Sequence, residues 1–221
     1  MSLVLVIGAS RGIGLELVRQ YREAGQRVVA TVRDAAGRER VQALGAQAFV
    51  VDVSDPASVS GLAWQLDGEK IDVALYVAGL WDDHGAATPP TREAFDRVMH
   101  TNVLGAMQAL PQVAPLVEEA GGVFGFLSSE MSLISEAGSS AWLYRVSKAA
   151  LNMAVAAAQP AWPRATLVTL DPGWTQTEMG GAGAPLTVER SVAGLIATIA
   201  GITPADRGRL LHHDGRRAGR W

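Results

Sequence analysis

The segment YRVSK places a tyrosine, Tyr144, four residues before a lysine, Lys148. On a helix this spacing puts both side chains on one face, one turn apart. A free phenol, with a pKa of roughly 10, is poorly matched to neutral pH, and a nearby ammonium group lowers that pKa because it favours the phenolate. The pair is therefore a candidate for proton transfer. Two common residues at this spacing also recur by chance, so the surrounding sequence must decide.

Short apolar runs, rich in β-branched residues, alternate along the chain with helix-compatible segments. The predicted strands are 3–7, 27–32, 48–51, 71–77, 123–128, 165–170 and 209–213. The predicted helices are 12–24, 56–66, 92–119, 142–158 and 187–200. Strands that are apolar throughout indicate a sheet covered on both faces, and the alternation predicts a doubly wound α/β domain with a parallel sheet of about seven strands. No linker or repeat divides the sequence, so we expect one domain over residues 1–221.

Composition narrows the possible functions. The 221 residues are 48% hydrophobic and 19% charged, which predicts a sizeable core rather than disorder. The net charge of −3 without a Lys/Arg block argues against nucleic acid as a partner. There are no cysteines, which excludes disulfides and thiolate metal sites. The apolar run at residues 3–7 is too short for a secretory signal or a membrane span, so we expect a cytoplasmic protein that does not bind membranes.

A glycine-rich loop, GASRGIG at residues 8–14, follows the first predicted strand and opens the first predicted helix. Glycine permits a tight turn and close backbone approach, and the N–H groups at a helix N-terminus attract a pyrophosphate. The spacing is G-x-x-x-G-x-G rather than the usual G-x-G-x-x-G of dinucleotide sites, but its place after the first strand is the one that such sites use. We therefore expect this loop to bind phosphate in a dinucleotide-binding Rossmann fold; a glycine-rich turn needed only for packing is the alternative.

The end of the second predicted strand indicates which dinucleotide binds. NAD sites usually carry Asp or Glu there, to hold the ribose 2′-OH, whereas this sequence has Val32 followed by Arg33. Arg11, in the glycine loop, supplies a second guanidinium group, and arginine binds a phosphate in a bidentate manner. NADP(H) is therefore the preferred cofactor. The neighbouring Asp34 keeps NAD(H) possible.

Several segments, taken in order, resemble the short-chain dehydrogenase/reductase family. They are GASRGIG, VDVSD at 51–55, YVAG at 76–79, TNVLG at 101–105, LSSEM at 127–131, YRVSK, and DPGWTQT at 171–177. There are two departures: Ile7 stands where the family often has Thr, and YVAG stands where it often has N-N-A-G. A finer likeness, to C-factor-like and sniffer-like carbonyl reductases, rests on YRVSKAALNM, PGWTQTEMGG and the tail GRLLHHDGR.

The resemblance implies which residues form the site. The implied catalytic residues are Asn102, Ser129, Tyr144 and Lys148. The implied cofactor contacts are Gly8, Ser10, Arg11, Gly12, Ile13, Gly14, Arg33, Asp52, Val53, Ala78, Gly79, Tyr144, Lys148, Pro172, Gly173, Trp174, Thr175 and Thr177. In the family the lysine also hydrogen-bonds the nicotinamide ribose, and the asparagine holds a water leading to that lysine.

The serine is the open question in this set. Ser129 ends the fifth predicted strand, where open α/β sheets bind ligands, and would hydrogen-bond the substrate oxygen. Tyr144 follows it by 15 positions, about two more than the commonest spacing in the family. Three other serines are therefore alternatives: Ser128, Ser132 and Ser135.

The implied function is NADPH-dependent reduction of an aldehyde or ketone, with Tyr144 as the acid, or the reverse oxidation. The alternative is a dinucleotide-binding regulator or signalling protein with little catalysis. A homodimer or homotetramer through the long helices near 92–119 and 142–158 is also implied. The loop at 81–85 offers Asp82, Asp83 and His84, but without spaced partners elsewhere we expect a solvated loop and no metal. Three tryptophans, Trp81, Trp142 and Trp174, are candidates for lining an apolar substrate pocket.

Overall fold

The computed structural model describes residues 2–219. Within that range, seven strands form one parallel sheet in the order β3-β2-β1-β4-β5-β6-β7. The strands are β1 Leu3–Ile7, β2 Arg27–Val32, β3 Gln47–Val50, β4 Val73–Tyr76, β5 Val123–Leu127, β6 Thr166–Asp171 and β7 Leu210–His212. The predicted Rossmann fold is confirmed. The strand order reverses between β1 and β4, and open sheets of this kind bind ligands at that point.

Helices cover both faces of the sheet. They are α1 Gly12–Glu23, α2 Ala35–Ala43, α3 Pro56–Ser60, α4 Leu62–Gln65, α5 Arg92–Met99, α6 Gly105–Ala120, α7 Trp142–Ala158 and α8 Val188–Ala200. Alternate residues of each strand enter two separate cores: Leu5 and Ile7 pack with α6 and α7, whereas Val4 and Val6 pack with α1 and α8. This arrangement explains why the strands are apolar throughout.

The structure corrects two helix predictions and adds one helix. No helix was predicted for α2, which packs through few apolar residues; its start is marked by Asp34, whose Oδ1 accepts a hydrogen bond from Gly37 N at 2.7 Å. The helix predicted at 56–66 is two short ones, divided at Gly61. The helix predicted at 92–119 is interrupted by a π-helical turn, His100–Leu104, between α5 and α6.

None of the helices within residues 2–219 combines the length and the apolar character needed to cross a membrane.

Candidate active site

A cavity of about 390 Å³ opens at the carboxyl ends of β1, β4 and β5. Most of the predicted cofactor contacts line it. They are Gly8, Ser10, Arg11, Gly12, Ile13, Gly14, Arg33, Asp52, Val53, Ala78, Gly79, Tyr144, Lys148, Pro172 and Thr177. The fold therefore brings together segments that are up to 169 positions apart, because each of them follows the end of a strand or begins a helix.

The glycine loop is closely packed. Gly8 has a φ of 94°, and a Cβ at this position would lie 2.7 Å from the backbone N of Ala78. A Cβ on Gly14 would overlap the carbonyl oxygen of Gly8, so α1 can begin this close to β1 only with glycine there. The N-terminus of α1 thus faces the cavity. This cradle fits the pyrophosphate of a dinucleotide.

Positive charge surrounds the end of β2. Arg33 lines the cavity, and Arg40 of α2 donates a hydrogen bond from Nε to Ser10 O at 3.0 Å. Arg40 was not predicted as a site residue, because α2 was not predicted. The signal for this helix was Asp34, a capping residue before a helix-compatible run. Asp34 uses its carboxylate as that cap. Arg11 forms an ion pair with Glu178, which also lines the cavity.

Ser129 lies beside Tyr144, and its side chain acts to lower the pKa of the phenol. Ser129 Oγ accepts a hydrogen bond from Met131 N at 3.1 Å. Two of the alternative serines are committed elsewhere: Ser128 Oγ donates to Asn152 Oδ1 at 2.7 Å, and Asn152 Nδ2 donates to Ser132 Oγ at 2.6 Å. The remaining alternative, Ser135, lies in the short 3₁₀ turn Ile134–Glu136.

The loop between Ser129 and Tyr144 accommodates its unusual length through one arginine. Arg145, directly after the tyrosine, donates to three backbone carbonyls of this loop: Ser140 O at 2.9 Å, Glu136 O at 3.2 Å and Met131 O at 3.3 Å. The loop ends at Ala141, which precedes α7 in a left-handed conformation with a φ of 50°. The additional residues are thus folded back on the start of α7.

Lys148 lies beneath Tyr144. Its Nζ donates a hydrogen bond to Leu127 O at 2.8 Å and lies 5.6 Å from the centroid of the Tyr144 ring. Burial lowers the pKa of Lys148 to about 8. The pKa of Tyr144 is raised, chiefly by burial; the side chain of Ser129 opposes this rise and the charge of Asp171 adds to it. The structure thus differs from the expected lowering of the tyrosine pKa, because desolvation of the phenol outweighs the other contributions.

Asn102 is completely buried in the π-helical turn, and its amide is fully engaged by protein groups. Its Oδ1 accepts from Leu80 N at 2.7 Å, while Nδ2 donates to Leu80 O and to Ser147 Oγ, both at 2.9 Å. The side chain therefore joins the segment after β4 to α7. The same geometry explains Gly79, since a Cβ there would lie 3.3 Å from Lys148 Nζ.

Tyr76 stabilises the π-helical turn from below. It stands at the first position of the family's N-N-A-G segment, and its hydroxyl donates a hydrogen bond to Thr101 O at 2.7 Å. A π-helical turn leaves some backbone groups without their usual partners, and turns of this kind are frequent at functional sites. Here the carbonyl group of Thr101 obtains its partner from β4.

The carboxylate of Asp52, at the far side of the cavity, accepts hydrogen bonds from the backbone and side chain of Ser54.

The DPGWTQT segment divides into two parts. Pro172 and Thr177 line the cavity, and the Thr177 side chain lies over Gly12. The other three predicted contacts do not line it. Gly173 adopts a φ of 71°, the hydroxyl of Thr175 donates to Gly173 O at 3.0 Å, and Trp174 is 62% exposed, with its indole N–H donating to Gly180 O. Their roles as cofactor contacts stay predictions.

The polar loop after Trp81 forms internal contacts. Asp82 is buried, and its Oδ2 lies 3.2 Å from His84 Nδ1. Across residues 2–219, no three His, Asp or Glu side chains are grouped as metal ligands. Near the β7 edge of the sheet, His212 and Asp171 are both buried, and His212 Nδ1 lies 2.9 Å from Asp171 Oδ2.

The comparison with known proteins identifies the family. The model of the short chain dehydrogenase family matches residues 2–184. The chain belongs to this family. It is similar over 97% of its length, at 31% identity, to the 1-hydroxy-2-glutathionyl-2-methyl-3-butene dehydrogenase of Rhodococcus sp. (strain AD45), of which it covers 98%.

Two further relatives bear on the finer resemblance. The C-signal protein of Myxococcus xanthus is 37% identical over 123 residues, which are 54% of this chain and 74% of that protein. A crystal structure of a carbonyl reductase from Pseudomonas aeruginosa PAO1 in complex with NADP superimposes with a TM-score of 0.86 at 31% identity, covering 100% of both chains. The predicted likeness to C-factor-like members and to carbonyl reductases is confirmed, and this short-chain dehydrogenase is an oxidoreductase.

Proposed function

We propose that this short-chain dehydrogenase uses NADPH to reduce the carbonyl group of an aldehyde or ketone, with Tyr144 as the proton donor. The observation that carries the proposal is the position of Tyr144, which lines the cavity with Ser129 beside its phenol and Lys148 buried beneath it. Two neighbouring hydroxyl groups can form a site for one substrate oxygen. Tyr144 lines the cavity together with the expected cofactor contacts; of the two adjacent serines, Ser128 lines it and Ser129 does not.

Reduction of a carbonyl needs a hydride on carbon and a proton on oxygen, and bound NADPH supplies the hydride. Tyr144 Oη donates the proton, and Ser129 Oγ hydrogen-bonds the substrate oxygen as negative charge develops on it. The phenol of Tyr144 is protonated at neutral pH, which is the form that reduction requires. Lys148 holds the nicotinamide ribose, and Asn102 keeps Leu80 and α7 in register beside it.

Three observations support NADP(H) over NAD(H). Arg33 lines the cavity at the end of β2, Arg40 contacts Ser10 beside it, and Asp34 uses Oδ1 of its carboxylate as a helix cap. The carbonyl reductase from Pseudomonas aeruginosa, similar in fold and sequence, carries NADP. Arg33→Ala is expected to reduce the thermal stabilisation by NADPH much more than that by NADH. Stronger stabilisation of the wild type by NADH would refute the preference.

A serine comparison tests the catalytic assignment. Oxidation of NADPH is followed at 340 nm with a panel of aldehydes and ketones for the wild type, Ser129→Ala and Ser128→Ala. Removing Ser129 is expected to lower kcat by about 10²-fold, the usual effect of losing one donor to a developing oxyanion. Ser128→Ala leaves Asn152 Oδ1 without its donor, so it should reduce stability more than kcat. A larger loss of kcat from Ser128→Ala would transfer the assignment to that residue.

The similarity to the C-signal protein favours one second candidate, a signalling protein that binds a dinucleotide with little turnover. The two functions differ in a simple measurement. A signalling protein would be stabilised by NADPH and would leave the whole carbonyl panel unreduced. The buried set of Asn102, Tyr144 and Lys148 supports the enzyme, since binding alone has no need for a protonated phenol beside Ser129.

The assembly we propose is a homodimer or homotetramer of single-domain subunits in the cytoplasm. Large apolar side chains are exposed on the helices that the family resemblance implicates: Phe95 on α5, Met107 on α6, and Val146 and Met153 on α7. Light scattering coupled to gel filtration measures the assembly. A monomer at micromolar concentration would rule it out.

A further inference from the structure

Trp81 occupies a defined place beside the reacting groups. Asn102 binds both the N–H and the carbonyl of Leu80, so the backbone that leads into Trp81 is held on two sides. The indole packs on the ring of Tyr144, with the ring centroids 4.6 Å apart and the planes tilted by 53°. Trp81 as a whole nevertheless stays 39% exposed. An aromatic surface thus lies directly next to the proposed proton donor.

The segment that carries Trp81 is attached to the opposite side of the site. His84 O accepts a hydrogen bond from Trp142 N, and Ala86 N donates to Ser139 O, both at 2.9 Å. The buried Asp82 carboxylate accepts from His84 N. These contacts connect residues 81–86 to the loop that begins at Ser129, so the aromatic surface and the two hydroxyl groups are held in one arrangement.

Negative charge predominates on this side of the site. The segments 80–86 and 129–142 contain no lysine or arginine and carry four carboxylates, those of Asp82, Asp83, Glu130 and Glu136. Arg145, which follows, directs its guanidinium group to three backbone carbonyls of the loop. Met179, which lines the cavity, adds an apolar side chain. An anionic substrate would meet repulsion here, whereas an uncharged apolar one would not.

We propose that Trp81 is a specificity-determining residue and that the substrates are uncharged, planar aromatic aldehydes or ketones. Their ring packs on the exposed face of the indole while the carbonyl oxygen contacts Tyr144 and Ser129. This inference rests on the proposed function and deepens it. Aromatic pairs prefer offset or tilted packing, and such a contact adds about two- to tenfold to binding beyond the burial of apolar area.

The test compares two substrates of equal size, benzaldehyde and cyclohexanecarbaldehyde. Their kcat/KM ratio is measured with NADPH for the wild type, Trp81→Leu and Trp81→Phe, so that differences in intrinsic reactivity cancel between variants. Trp81→Leu is expected to lower the aromatic-to-saturated ratio at least twofold, and Trp81→Phe, which keeps an aromatic face, is expected to lower it less than twofold. Trp64→Leu is the remote control, because Trp64 is 82% exposed on α4. A ratio that changes less than twofold in Trp81→Leu overturns the inference.

A second measurement does not depend on the folding of a Trp81 variant. Two substrates, the anionic para-formylbenzoate and its uncharged methyl ester, are compared by their kcat/KM values in the wild type and in Asp83→Asn, whose side chain is 82% exposed. Asp83→Asn is expected to raise the acid-to-ester ratio at least twofold at low salt, and a smaller change contradicts the role assigned to the negative charges. If the wild type reduces no carbonyl compound with either cofactor, the proposed function itself fails; if it reduces them and both ratios stay constant, only this inference fails.

Discussion

The cleft has a cofactor half, which is shaped mainly by backbone atoms, and a substrate half, which is positioned mainly by side chains. On the cofactor half, the decisive atoms belong to the backbone: glycine permits the turn at Gly8, and the start of α1 faces the cavity. On the substrate half, side chains do the positioning: Asn102 holds Leu80, and Arg145 holds the loop after Ser129. A site built from backbone atoms tolerates few substitutions at its own residues, but changes in the surrounding side chains affect it little. A site built from side chains can change its specificity through single substitutions, but it depends on contacts between residues that are distant in the sequence.

The largest effect is expected from a substitution that disrupts the cofactor half. Gly8→Ala combines a φ of 94° with a Cβ placed 2.7 Å from Ala78 N, so we expect a loss of about 3 kcal/mol or more in the free energy of unfolding and no thermal stabilisation by NADPH. Gly25→Ala is the matched control, because Gly25 also has a positive φ, 76°, but a Cβ there has nothing within 4 Å. It should cost about 1 kcal/mol. Urea denaturation compares them, and equal losses would contradict the close packing described for the loop.

A smaller effect tests the substrate half on its own. Arg145→Met keeps a long side chain but removes the three hydrogen bonds to the loop, so we expect kcat to fall about tenfold through misplacement of Ser129. Stabilisation by NADPH should be unchanged. Arg92→Met, on the surface of α5, is the control. If Arg145→Met weakens NADPH binding as much as it lowers kcat, the two halves are not independent.

The smallest effect concerns a buried pair at the edge of the substrate half. The hydrogen bond with Asp171 raises the pKa of His212; the charge of Glu130 adds to the rise, while burial and Arg216 oppose it. A raised folded-state pKa means that the pair stabilises the protein below the unfolded histidine pKa of about 6.5 and that this contribution disappears as the pH rises through the folded-state value. The wild type should therefore exceed His212→Asn in stability more at pH 6 than at pH 9. Urea denaturation at both pH values measures this, and a pH-independent difference would argue against a charged pair.

The same contrast explains what could be predicted from the sequence. The cofactor half was predictable because glycine spacing, a strand before it and a helix after it are local features, and Gly8, Gly12 and Gly14 all line the cavity. Arg40 escaped prediction because α2 packs through few apolar residues and shows little periodicity. A local pattern reveals a site when the residues that build it are neighbours in the chain.

The substrate half was harder to predict, because it depends on contacts between distant residues that no local sequence pattern encodes. Spacing alone left Ser128, Ser129, Ser132 and Ser135 as alternatives. The contacts that bear on the choice are long-range: Asn152 binds Ser128 and Ser132, whereas Ser129 lies beside Tyr144. The π-helical turn around Asn102 was equally hidden, since its support comes from Tyr76 on a distant strand. The pKa of Tyr144 was expected to fall, because spacing reveals a neighbouring lysine but not the depth of burial.

The proposed NADPH-dependent reduction requires Tyr144 to donate the proton. The most direct test is Tyr144→Phe, which keeps the ring against Trp81 and removes only the hydroxyl. Turnover of NADPH with an aromatic aldehyde should fall by about 10²- to 10⁴-fold, the usual contribution of a general acid, while thermal stabilisation by NADPH is retained. Turnover within tenfold of the wild type, with NADPH still bound, would contradict proton donation by Tyr144.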